Sequence, residues 1–93
     1  MDDAVSHVPA GHKGAFVIER GGRRLAEMTY SMAGQKMIID HTQVDDALRG
    51  TGAGRRLVLA AVEHARAGKK TVLPLCPFAK SVFDKTPELR DVL

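Results

Sequence analysis

The spacing of apolar side chains changes partway along the chain, and the change divides it into two kinds of segment. In GAFVIER (14–20), RRLAEMTYSM (23–32) and KMIIDHTQV (36–44), β-forming residues cluster in short runs, separated by Gly21-Gly22 and by Ala33-Gly34-Gln35. Such runs, bounded by turn residues, predict three strands joined as an antiparallel meander. From Gly54 to Ala67 the period becomes helical: Leu57, Val58, Ala61, Val62 and Ala65 share one side, while Arg55, Arg56, Glu63 and Arg66 fall mostly elsewhere. Gly68 supplies a stop, so the spacing predicts an amphipathic helix of about four turns.

After the helix, KKTVLPLC reads as a short apolar strand over residues 70–75. A right-handed crossover would set it parallel to residues 36–44. PFAKSVFDK and PELRDVL read as short helices with Pro77 and Pro87 in their first turns. Residues 1–13 carry Pro, Gly, His and Asp without an apolar period, and are expected to be a flexible lead-in to one domain at 14–93. The expected class is α/β, in the α+β sense: a meander, then a helix and a parallel strand.

At 93 residues a second domain is excluded, and with no Trp, one Tyr and three Phe the core must be aliphatic. No run reaches the roughly 18 apolar residues of a membrane span, and the N-terminus lacks the basic and apolar regions of a secretion signal. A cytoplasmic protein with no membrane partner is the expectation. Cys76 is the only cysteine, so no internal disulfide can form. The net charge of +3 weakly favours an anionic partner. Nucleic acid is not expected, because only four aromatic residues are present and no binding motif is matched.

The stretch DALRGTGAGRRL (45–56) lies between a strand and a helix N-terminus, where unpaired amides and the positive dipole end favour an anion. It fails the dinucleotide fingerprint, since Arg55 stands where the third glycine should be, and it lacks the G-K-S or G-K-T of a P-loop. It does read R-x-x-G-x-G from Arg49 to Gly54. That pattern resembles the pyrophosphate loop of the GNAT superfamily of N-acetyltransferases. IDHTQVDDALRGTGAG and VLPLCPFAKSVFDKTPEL are similar to its short, single-domain members, and the resemblance covers roughly residues 14–93.

The resemblance implies a sheet whose two parallel strands, here 36–44 and 70–75, splay apart around acetyl-CoA. Pantetheine would pair with backbone at Thr42, Gln43 and Val44. Arg49, Gly50, Thr51, Gly52, Ala53, Gly54 and Arg55 would cradle the diphosphate. The implied activity is transfer of an acetyl group to an unidentified amine, with a non-catalytic acyl-CoA-binding module as the alternative. The resemblance fixes neither the acceptor nor the oligomeric state, though a protein or peptide amine would suit an open acceptor side.

Acetyl transfer needs an oxyanion site, a base for the amine and an acid for the leaving thiolate. Cys76, at the end of the second splayed strand and before Pro77, is the candidate proton donor or acetyl carrier; a helix N-terminus beside it would favour its thiolate. The alternative is a buried structural thiol. His41 is the candidate base, or else a half-buried structural ring. Simple alternation sets Met37, Ile39 and His41 on one face and Ile38, Asp40 and Thr42 on the other, unless a bulge intervenes. Asp40, Asp45 and Asp46 could orient an amine or cap the loop. His7, His12 and His64 show no ligand spacing with Cys76, and no metal is expected. Two positions depart from the family pattern: Val82 stands where many members carry a tyrosine acid, and the final P-E-Y is Pro87-Glu88-Leu89.

Overall fold

A computed structural model of the chain describes residues 4–93. Five strands form one sheet in the order of the sequence: β1 (Val5–Ala10), β2 (Lys13–Arg20), β3 (Arg23–Ala33), β4 (Lys36–Val44) and β5 (Thr71–Pro74). The first four pair antiparallel and β5 runs parallel to β4. Helix α1 (Ala53–Ala67) makes the crossover, α2 (Pro77–Lys85) follows β5, and 3-10 turns cover Asp46–Leu48 and Pro87–Val92.

The β2–β3 hairpin turns through Gly21 and Gly22, both at positive φ (59° and 81°), which is the backbone of a two-residue turn matched to strand twist. Helix α1 buries Leu57, Val58, Ala61, Val62 and Ala65, the stripe its period predicts. They join Phe16, Ile18, Ala26, Met28, Tyr30, Met37 and Ile39 from the sheet and Ala79, Val82 and Phe83 from α2 in one core. Both helices therefore pack on the same face. Ala15 and Val17, on the opposite face of β2, are buried but lie outside that core.

The expected lead-in is corrected by the structure. Residues 1–3 lie outside the described residues, but Val5–Ala10 is a strand in register with β2, from Val5 opposite Ile18 to Ala10 opposite Lys13. Its own pattern is weak because only Val5 and His7 turn toward the core side. Its place at the sheet edge lets it carry Pro9, whose missing N–H costs no ladder bond there.

The end of α1 also differs in detail. Gly68 is the C-cap, but the residue in the left-handed region is Lys69, at φ 55°. Lys70 N–H reaches Ala65 O at 2.8 Å and Lys69 N–H reaches Arg66 O at 3.2 Å, the two bonds of a Schellman closure. The glycine thus stands one residue before the position that most needs it.

Candidate active site

Strands β4 and β5 pair only from Lys36–Thr71 to Ile39–Pro74. Beyond that, Ile39 O accepts from both Leu75 N–H (3.0 Å) and Cys76 N–H (3.2 Å), and the strands part. The parting coincides with a bulge: Thr29 pairs with His41 and Tyr30 with Ile39, leaving Asp40 as the extra residue of β4. Asp40 accepts a hydrogen bond from the Thr29 hydroxyl.

The bulge resets the alternation. Thr42 and Val44 stand opposite Met28 and Ala26, so they join Met37 and Ile39 on the helix-bearing face. His41, opposite Thr29, is exposed on the other face. The simple alternation that grouped His41 with Ile39 is thereby corrected, because one inserted residue inverts every side chain after it.

At the fork, Cys76 Sγ lies 3.4 Å from Thr42 Oγ1. Cys76 is the N-cap of α2 with Pro77 following, and is only 7% exposed. Burial pushes its thiol up, but the Thr42 hydroxyl and the backbone amides of Ala79, Phe78 and Thr42 bring it below its ordinary value. The helix N-terminus thus acts on the sulfur as its amides would on any anion.

A cleft of about 370 Å³ opens beside the fork. One wall is Val44, Leu48 and the loop with the first turn of α1: Arg49, Gly50, Gly52, Ala53, Gly54 and Arg55. Gly50 and Gly52 hold positive φ (77° and 80°), and a Cβ on either would meet only open space. Gly52 caps α1, and none of the first-turn residues is acidic. The other wall is Phe78, Ser81, Val82 and Lys85, spaced i, i+3, i+4 and i+7 along one side of α2. Arg49, Arg55 and Lys85 stand in this lining and no carboxylate does. A glycine-floored groove at a helix N-terminus with three cations suits a polyanion running toward the fork.

A family profile described as GCN5-related N-acetyl-transferase matches residues 15–92, nearly the whole described chain. The chain belongs to that family. Among solved structures, a GCN5-like protein from Staphylococcus aureus superposes with a TM-score of 0.74 at 35% identity, covering 99% of this chain and 89% of that one. The ribosomal-protein-S18-alanine N-acetyltransferase of Escherichia coli shares the fold at a TM-score of 0.69 and 12% identity, and the IAA acetyltransferase of Bacillus cereus at 0.63 and 20%. This chain covers 83% and 80% of itself in those two matches but only 53% of each larger protein. No curated protein matches the chain in sequence.

Within this N-acetyltransferase fold, the residues singled out from the sequence separate into groups. Val44, Arg49, Gly50, Gly52, Ala53, Gly54 and Arg55 line the cleft together. Thr51 is exposed and its hydroxyl donates to Leu48 O, which pins the loop from below. Gln43 faces a separate hollow with Arg24, Glu27 and Asp45. Asp45 caps the 3-10 turn, its Oδ1 accepting from Ala47 N–H at 2.9 Å, and Asp46 pairs with Arg49 at 3.0 Å. The α2 wall was not expected, although the i, i+3, i+4, i+7 stripe from Phe78 to Lys85 was present to be found. His7, His64 and Tyr30 meet far from their sequence neighbours, in a cluster no local pattern signals. Among the described residues no helix is long and apolar enough to cross a membrane, and no group of three or more His, Cys, Asp or Glu could hold a metal.

Proposed function

We propose that this family member transfers an acetyl group from acetyl-CoA to an amine, with Cys76 at the reacting centre. The observation that carries the reading is the Cys76–Thr42 contact at the fork, reached by a cation-lined, glycine-floored cleft. The lining fits coenzyme A: Gly50 and Gly52 leave main-chain amides uncovered, and the cations match phosphate charge. When bound, the cofactor supplies an acetyl thioester.

The loop amides and Arg49 hold the diphosphate. Backbone of Thr42 to Val44, unpaired with β5 beyond Ile39, is available to a pantetheine amide. The Cys76 thiol, lowered by the Thr42 contact and by the first amides of α2, would give its proton to solvent and be held there as a thiolate. That thiolate would be placed to attack the acetyl carbon of a bound thioester: the C–S bond to coenzyme A would break as the one to Cys76 formed, and the departing thiolate would be protonated from solvent. A neutral amine would then attack the S-acetyl carbon, its C–N bond forming as the C–S bond breaks, and its surplus proton would pass to the released Cys76 thiolate. Val82 lines the cleft where the family pattern puts a tyrosine, so that position supplies no proton donor, and Cys76 at the fork is the thiol that carries the chemistry in this reading.

His41 opens on the face away from both helices, so it can serve as base only for an acceptor approaching from that side. That face carries no helix, which favours a protein or peptide amine over a small enclosed one. The deciding experiment is intact mass after incubation with acetyl-CoA, beside Cys76→Ala and with calorimetric titration of coenzyme A. One acetyl group on the wild type and none on the variant is the expected result. Binding without the adduct would replace the relay by direct transfer or passive binding, and absence of binding would overturn the cleft's assignment.

A further inference from the structure

Helix α2 crosses the first turn of α1, and its two ends meet different parts of the cleft. At its start, the Phe78 ring lies over Gly54. At its end, Thr86 is only 5% exposed and its hydroxyl accepts from Arg55 Nη1 at 2.9 Å, holding that guanidinium beside Lys85. Arg49, by contrast, pairs with Asp46 on the other side of the loop. Lys85 lines the cleft with no ion pair of its own among the described residues.

A diphosphate on the glycine loop is served by the α1 amides and Arg49. That leaves two cations of the lining, Arg55 and Lys85, brought together where Arg55 reaches Thr86, the residue after Lys85. Eight residues lie between Cys76 and Lys85, which puts Lys85 in the last turn of α2, at the opposite end of the helix from the fork. Coenzyme A carries its thiol at one end and a ribose 3′-phosphate at the other, and that phosphate monoester bears a charge of roughly −1.5 to −2 at neutral pH.

Resting on the acetyl-CoA reading of the cleft, we infer that Lys85, with Arg55 positioned by Thr86, forms a 3′-phosphate subsite that selects coenzyme A over its dephosphorylated form. Lys85 contributes a mobile point charge and Arg55 a fixed fork, a pairing suited to a terminal phosphate with three acceptor oxygens. The buried Thr86 hydroxyl serves Arg55 as a positioning group and does not touch the ligand.

The test is calorimetric titration of the full chain with coenzyme A and with 3′-dephospho-coenzyme A. The wild type should prefer the former by about tenfold or more, in line with charge-assisted phosphate contacts. Lys85→Met keeps the aliphatic stem on an exposed position and should weaken coenzyme A toward the dephospho form, whose own affinity changes by less than about twofold. Thr86→Val, near in shape, should lose part of the preference by releasing Arg55. An unchanged preference in Lys85→Met, or an equal loss for both ligands, overturns the subsite. Wild-type binding of both ligands with equal affinity overturns the subsite alone, whereas failure to bind either overturns the parent reading with it.

Discussion

Gly54 lies directly under the ring of Phe78: a Cβ on Gly54 would stand 2.6 Å from Phe78 Cζ. This glycine has ordinary helical backbone, so its role is the close approach of an aromatic ring from α2 and not a left-handed turn. Phe78 is 41% exposed, and its ring can swing away at modest cost. Gly54→Ala alone should leave stability within about 1 kcal/mol of the wild type, because helix propensity gained offsets the displaced ring. In a Phe78→Ala background the same change should stabilise by about 0.5–1 kcal/mol. Urea unfolding of the four proteins gives the coupling; additive effects would mean the contact carries no energy.

Gly52 differs, since its φ of 80° penalises any side chain while nothing stands within 4 Å of a Cβ. Gly52→Glu should cost about 1–2 kcal/mol of stability through backbone strain. It should abolish coenzyme A binding for a separate reason: the carboxylate would occupy and repel the place of the phosphates. A folded variant that still binds in calorimetry would remove the loop from the site.

Lys69 pays for the Schellman closure in the left-handed region with a full side chain. Lys69→Gly should therefore raise stability by about 0.5–1 kcal/mol, read as a higher urea midpoint with unchanged slope. No gain would show that the lysine stem recovers the cost through packing.

The thiol of Cys76 should alkylate with iodoacetamide along a pH profile shifted below that of an ordinary cysteine, despite its burial. Thr42→Val removes one of the hydrogen bonds that lower it and should move the profile upward. Superimposable profiles for the two proteins would separate Thr42 from thiolate stabilisation.

His7 stacks on Phe16 at 4.6 Å between centroids, meets His64 at 4.4 Å, and shares a hydrogen bond with the Tyr30 hydroxyl. Burial, then the charges of His64 and Lys70, lower His7; burial and Lys70 lower His64. A lowered imidazole is protonated more readily in the unfolded chain, so its stabilisation is present above the ordinary value of about 6.5 and is lost as pH falls through and below it. The melting temperature should decline between pH 7.5 and 5, and His7→Phe should flatten that decline even if it starts lower. Parallel declines would place the pH dependence elsewhere.

The local signals read well from the chain because they are short-range. Leu57 to Ala65 could bury one face only as a helix, and Gly21-Gly22 could turn only as a hairpin. The loop from Arg49 to Gly54 was likewise legible, since its glycines and basic residues are contiguous. Strand β1 was not, because an edge strand with Pro9 and two inward side chains resembles a tail until β2 is beside it.

Tertiary structure alone decided the rest. The bulge at Asp40 exists only in the pairing of β4 with β3, yet it decides that Thr42, and not His41, faces Cys76. Residues 34 positions apart, Cys76 and Thr42, meet where two strands diverge. Phe78 and Gly54, Arg55 and Thr86, and His7 and His64 are likewise brought together by packing. The sequence by itself determined β2 to β5, the helices and the glycine loop, because backbone preference and hydrophobic period act between near neighbours. Register and the crossing of α2 over α1 determined which side chains share the site, because those depend on contacts that form only when the chain is folded.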